Sequence, residues 1–244
     1  MYQNLFLDIK KMKMHVWDDQ KGHLEVPFRK YAYVKDGNGQ HVSLYGDRLK
    51  KVTNYDKDDP TLHESDVPPT TRFLVDNYGD SDEMSVGHRI MFFDIEVEVT
   101  DGFPDVQKAQ NVITSIALYD CITEKYFTYC FDPSKRIESY AKDDEVVEFY
   151  DTEYEMLNKF FQKYLEIRPT IVSGWNSEFF DIPYLYNRAV RVLGPEVANL
   201  LSPISQVLYS EYKKKHTIAG VSSLDYLQLY RQFTFGQKSS YRLD

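Results

Sequence analysis

The sequence predicts an α/β domain with a mixed sheet over residues 86–244, preceded by a mainly β domain over residues 1–85. Three observations predict it. From residue 88 the apolar pattern runs strand, strand, strand, helix, strand, helix. Before residue 50 it alternates with turn signals between short runs. Between the two lies an acidic, proline-bearing stretch that reads as a linker.

Residues 2–9 (YQNLFLDI) and 11–17 (KMKMHVW) alternate in part and read as strands, with DDQKG at 18–22 as the turn between the second and the next. HLEVPFRKYAYV at 23–34 reads as a further strand, which Pro27 places at an edge or breaks, because proline has no N–H for a ladder. DGNG at 36–39 predicts a hairpin turn before the short strand HVSLYG. Residues 56–70 read as loop, and the domain boundary is placed near residue 85, after RFLVDNYG and DSDE.

RIMFFDIEVEV at 89–99 reads as a central strand, apolar at its start on both faces. NVITSIALYD (111–120) and KYFTYCF (125–131) read as the next two, in a meander; residues 132–149 show no clear period beyond a possible strand at VVEF. Thr152, with Glu155 three residues on, is a capping-box signature. Met156, Leu157, Phe160, Phe161, Tyr164 and Leu165 then recur at helical spacing until Pro169. TIVSGWN (170–176) reads as a buried strand and 182–194 as a helix, with Pro183 in its first turn and Gly194 at its end. A hairpin is expected within 205–220 and a helix over 224–233.

The chain has 244 residues, 42% of them hydrophobic and 15% aromatic, which suits a folded protein rather than a disordered one. Its two cysteines make neither a disulfide framework nor a cysteine zinc site and fit a reducing compartment. No apolar window reaches the length of a membrane span, so no membrane partner is expected. The net charge of −9 argues against a protein that coats DNA through basic residues. It does not argue against an enzyme whose acids hold metal ions, since those ions supply the positive charge a phosphate needs. The six histidines show no ligand spacing, and no glycine-rich loop precedes a Lys-Ser/Thr pair, which excludes a P-loop.

Asp94 and Glu96 are one residue apart in a predicted strand, so both side chains point to one face. Like charges held that close favour a cation between them, and hard divalent ions prefer oxygen ligands. Exposed, solvated acids are the alternative, weakened by the apolar residues 90–93. A second cluster, GWNSEFFDIPY at 174–184, places Asn176 at a strand end and Phe180 and Asp181 at a helix start, where ligand groups gather in α/β sheets. Asp181 alone reads as a helix cap; beside Asp94 and Glu96, metal ligation becomes the better reading.

MFFDIEV resembles the first exonuclease motif of family B DNA polymerases, and NSEFFD the second. FDIEVEVTDGFPD, VSGWNSEFFDIPYLYNR and SLDYLQLYRQFTF resemble, in order, the replicative polymerases of T4-like bacteriophages from about residue 89 to 244. The resemblance implies a ribonuclease-H-like fold and 3′–5′ exonuclease proofreading by two-metal phosphodiester hydrolysis with Mg²⁺ or Mn²⁺. It implies Asp94 bridging the ions, Glu96 on the ion that activates water, and Asp181 on the second. Asn176 is implied in holding the substrate strand or the local geometry, Phe180 in packing beside Asp181, and Phe103 in stacking near an unpaired 3′ end. Phe103 also reads as a turn residue covering the core. The implied partners are the 3′ end of single-stranded DNA and, for a full-length polymerase, primer–template DNA and a sliding clamp, in the cytoplasm of an infected bacterium. RNA binding by the N-terminal domain is implied too. The third motif, a Tyr, three residues and an Asp, is expected beyond residue 244; Tyr241 and Asp244 have a similar look with one residue too few. The site is therefore expected to lack its fourth carboxylate here, and activity to be weak or absent.

YGDSDE (78–83) superficially resembles the metal-binding motif of a polymerase palm, but it precedes the exonuclease motifs and reads as an acidic loop. Lys213–Lys215 read as a solvated hairpin tip. A nucleic-acid-binding module acting through exposed aromatics, and a stand-alone nuclease of the same fold, are the competing readings.

Overall fold

A computed structural model of the chain describes residues 1–100, 102–234, 236, 238, 240 and 241. The chain divides into two compact units, Met1–Val86 and Gly87–Asp244.

In the first unit, β1 (Tyr2–Asp8), β2 (Lys13–Asp18) and β3 (Gly22–Pro27) form an antiparallel sheet in that order. Alternation sends Leu5, Leu7, Met14, Val16, Leu24 and Val26 to one face, where they pack with Phe28 and Phe73. Pro27 ends β3, as its missing N–H requires. A second small sheet contains β4 (Ala32–Lys35), β5 (His41–Val42) and β6 (Arg48–Val52) in the order β4-β6-β5. The DGNG segment therefore turns the chain but does not join two paired strands. Gly39, whose lack of a Cβ allows it, lies directly against the Leu49 backbone, so β6 occupies the position a hairpin partner would take. Helix α1 (Pro69–Tyr78), unanticipated in the sequence, starts with proline in its first turn and buries Phe73.

The second unit is an α/β domain on a seven-stranded mixed sheet, with the topology of ribonuclease-H-like exonucleases. Its strands are β7 (Ile90–Val97), β8 (Ile113–Asp120), β9 (Lys125–Phe131), β10 (Tyr140–Lys142), β11 (Glu145–Tyr150), β12 (Ile171–Gly174) and, after a two-stranded hairpin of β13 (Val207–Ser210) and β14 (Lys215–Ile218), β15 (Ser222–Asp225). The order is β10-β11-β9-β8-β7-β12-β15. β7, β8 and β9 form the expected antiparallel meander, while β12 runs parallel to both β7 and β15. The aperiodic stretch after 132 supplies the edge pair β10 and β11. β7 is flanked by strands on both sides, but only Met91, Phe93 and Ile95 are buried; Phe92 is exposed.

Helix α2 (Glu153–Ile167) covers the buried face with Met156, Leu157, Phe160, Phe161 and Tyr164. Thr152 Oγ1 accepts from the Glu155 N–H, as the predicted N-cap requires, and the Glu155 carboxylate accepts from the Thr152 hydroxyl. Arg168, left-handed at φ 49°, ends the helix before Pro169. Helix α3 (Asp181–Val192) ends two residues before Gly194, whose φ of 94° turns the chain into α4 (Pro195–Ala198) and a 3₁₀ turn, Asn199–Leu201. Helix α5 (Tyr226–Phe233) follows β15 directly.

Gly174, at the end of β12, packs against β7 so closely that a Cβ there would lie 2.5 Å from the Phe93 carbonyl oxygen. Gly174→Ala is expected to destabilise the protein by about 2 kcal/mol through overpacking. Urea unfolding measures this, and an unchanged midpoint would refute the close approach.

Candidate active site

The site is assembled where β12 stops short of β7. The β7–β12 pairing ends at Phe92 and Ser173, while β7 continues to Val97. Beyond that point Asp94 and Glu96 point outward, opposite Ala117 and Ser115 of β8, and Ile95 points into the core. The Ile95 N–H donates to Asp181 Oδ1 at 3.1 Å. Asp181 is the first residue of α3 and only 3% exposed. Its carboxylate thus reaches across to β7, which distinguishes it from a simple helix cap.

The electrostatics follow from this placement. Burial, then the charge of Asp94, pushes the Asp181 carboxyl up to about 7, opposed by the hydrogen bond from Ile95. Burial, then the charge of Glu96, raises Asp94. The strongest charge acting on each carboxyl is another acid. Unpaired acids in partly desolvated surroundings favour a proton or a cation. An all-oxygen donor set of this kind fits Mg²⁺ or Mn²⁺ in chemistry. In number it is open: among the described residues no group of three His, Cys, Asp or Glu side chains is arranged to hold an ion. The acids stand as neighbouring pairs, Asp94 with Glu96 and Asp94 with Asp181.

The segment leading to Asp181 is held by a residue the sequence reading missed. Asp225 is 3% exposed and caps α5, accepting from the Leu227 N–H. Its oxygens also accept the N–H groups of Asn176 at 3.1 Å and Glu178 at 3.2 Å. Asn176 adopts φ 60°, and its carbonyl accepts from the Phe179 and Phe180 N–H groups. Asn176 therefore shapes the turn through its backbone. The signal for Asp225 was an acid immediately before an apolar helical pattern, an N-cap cue.

Phe180 is half-buried, its ring 5.6 Å from Tyr184 and 5.2 Å from Phe103. Phe103 is 81% exposed. The structure thus brings Phe103, Phe180 and Asp181 into one neighbourhood, contiguous with Asp94 and Glu96. Of the other sequence candidates, residues 80–83 form an exposed stretch outside helix and strand. Lys213 and Lys214 are exposed in the β13–β14 turn, while Lys215 pairs with Glu178 at 2.8 Å. Tyr241 accepts from Trp175 Nε1 through its carbonyl; Asp244 lies outside the described residues.

The family model for the exonuclease domain of DNA polymerase family B matches residues 79–244. The chain belongs to this family. It is similar to the DNA-directed DNA polymerases of Escherichia phage RB69, 33% identical over 185 residues, and Enterobacteria phage T4, 32% identical over 177. These matches cover 64% and 61% of this chain and 20% of each phage polymerase. DNA polymerase 1 of Saccharolobus solfataricus is 32% identical over 145 residues, 54% of this chain and 16% of that protein. The chain thus spans about a fifth of the length of the phage relatives it matches. No helix among the described residues is long and apolar enough to cross a membrane.

The raised Asp181 carboxyl has a consequence for stability. The folded state keeps this proton to higher pH than the unfolded state, so its contribution is complete below about pH 4 and lost as pH rises through about 7. Asp181→Asn, which can still accept from Ile95, is expected to raise Tm at pH 8 by about 5 °C and to flatten the decline between pH 4 and 7. Calorimetry in metal-free buffer measures this; parallel pH profiles for the two proteins would refute it.

Proposed function

We propose that this chain is the proofreading portion of a DNA-directed DNA polymerase, with Asp94, Glu96 and Asp181 holding divalent cations for hydrolysis of 3′-terminal phosphodiesters in single-stranded DNA. The observation that carries the reading is the Asp181–Ile95 hydrogen bond. It sets a buried acid from the second motif against the strand bearing Asp94, where burial and a neighbouring acid raise both carboxyls. Residues 1–85 are a separate N-terminal domain and residues 86–244 the exonuclease domain in this reading. The longer polymerase would use primer–template DNA and a sliding clamp in the cytoplasm of an infected bacterium.

Asp94 and Glu96 would present carboxylate oxygens from one strand face, and Ile95 would fix the direction of the Asp181 carboxylate. A bound divalent cation supplies Lewis-acid charge for phosphodiester hydrolysis. Asp181 carries a proton part of the time near neutrality and would release it to solvent on ligating a cation. The exposed ring of Phe103 beside Phe180 offers a stacking surface for the terminal unpaired base, and Asn176 shapes the turn before Asp181. After Asp181 no Tyr in the sequence is followed by three residues and an Asp, so residues 1–244 would supply three of the four expected carboxylates. A second reading, a single-strand-binding module, is favoured by the open carboxylate set.

Titration with Mn²⁺ separates the two. Binding is expected to release protons near pH 7, and Asp94→Asn to weaken it by at least about tenfold. Calorimetry in buffers of different ionisation enthalpy reads both. Absence of binding at millimolar Mn²⁺, with oligonucleotide binding retained, would reject the hydrolytic reading in favour of the binding module.

A further inference from the structure

Helix α3 starts at Asp181, and three of its later side chains grip the connection between β7 and β8. Tyr184 Oη donates to the Asn111 carbonyl at 2.9 Å, and Asn187 Nδ2 to that of Val106 at 2.9 Å. Arg188 Nη1 donates to Gln110 O at 2.7 Å and Ala109 O at 3.1 Å. Arg188 is buried, and Glu153 holds its other nitrogens, Nε at 2.8 Å and Nη2 at 2.6 Å. Glu153 in turn accepts the Ile113 N–H at 2.9 Å, where β8 begins. Within the connection, Asp105 Oδ1 accepts from the N–H groups of Gln107 and Lys108, and Ala109 is fully buried at φ 42°.

The connection is thus shaped at its base by α3 and carries Phe103 at its exposed end. A buried Arg–Glu pair contributes little to stability compared with well-packed apolar side chains, because both charges lose water. Packing alone therefore does not account for Arg188. A guanidinium can hold two consecutive carbonyls and a carboxylate in one fixed plane, which an apolar side chain cannot do.

We propose that Arg188, fixed by Glu153 and assisted by Asn187, is a positioning residue that holds Phe103 against Phe180, so that an unpaired 3′-terminal base stacks in register with Asp181. This rests on reading Asp181 as part of a site acting on single-stranded 3′ ends. One helix would then set both the acid and the aromatic platform, so the stacked base and the carboxylates keep a common frame.

The test compares two single-stranded oligonucleotides in Mn²⁺, one ending in 2-aminopurine and one ending in an abasic 3′ nucleotide, by fluorescence and competition. Wild-type protein is expected to prefer the purine end. Phe103→Ala, Arg188→Gln and Asn187→Ala are each expected to lower that preference by about fivefold or more, the scale of a lost base–aromatic stack. Combining Arg188→Gln with Phe103→Ala should lower it no further than Phe103→Ala alone. Mn²⁺ affinity, measured without DNA, should stay within about twofold, which a general loss of structure would not allow. Asn187→Ala leaves no buried charge unpaired, so it carries the test if Arg188→Gln does not fold. Wild-type preference in Asn187→Ala or a folded Arg188→Gln, with loss in Phe103→Ala, would overturn the positioning role. Wild-type protein that binds Mn²⁺ but shows no purine preference would overturn this inference and leave the carboxylate assignment standing. Failure to bind Mn²⁺ at all would remove both.

Discussion

Where β12 ends, the Ile95 N–H of β7 meets Asp181 instead of another strand. That hydrogen bond organises the second unit's candidate site. It needs a central strand longer than its parallel neighbour, a glycine that lets the two approach, and a helix whose first residue is an acid. Alternation along β7 then leaves Asp94 and Glu96 beside the incoming carboxylate, with Phe93 and Ile95 anchoring the strand in the core. The hydrogen bond favours an ionised Asp181, while burial and Asp94 oppose ionisation more strongly. The tension is electrostatic, and either a proton or a cation would relieve it.

The helices serve this arrangement in different ways. α2 supplies the apolar face against which the sheet packs. α3 delivers Asp181 at one end and grips the β7–β8 connection further along. α5 contributes through its cap, since Asp225 satisfies two N–H groups of the turn before Asp181 as well as one of its own helix. Each acid in the neighbourhood has a distinct environment: Asp225 is surrounded by N–H donors, Asp181 accepts one from Ile95, and Asp94 and Glu96 face outward.

Much of this was legible where the governing physics is local. The Thr152–Glu155 cap, the alternation of Asp94 and Glu96, the β13–β14 hairpin and the stop at Pro169 all depend on near neighbours in sequence. The elements that escaped depend on distant ones. β15 is four residues, SSLD, whose strand identity comes from pairing with β12. β10 is a three-residue exposed edge strand with no buried face, and β11 beside it is legible only at VVEF. DGNG has the composition of a hairpin turn, yet Gly39 admits the Leu49 backbone and β6 intervenes. In the site, the outward acids followed from periodicity, whereas the helix expected over 224–233 takes in Asp225, whose partners lie 47 and 49 residues away.

Asp225 also sets an order of events during synthesis. The Ile95–Asp181 bond spans 86 residues, and the turn that presents Asp181 is tied down by a residue 49 positions beyond Asn176. A chain emerging from the ribosome exposes Asp94 and Glu96 long before either restraint exists. Contacts of such separation form late, after loop closure over many residues. The acids are thus made early but organised only once residue 225 has emerged, so a partly synthesised chain presents them without the geometry that would make them a site.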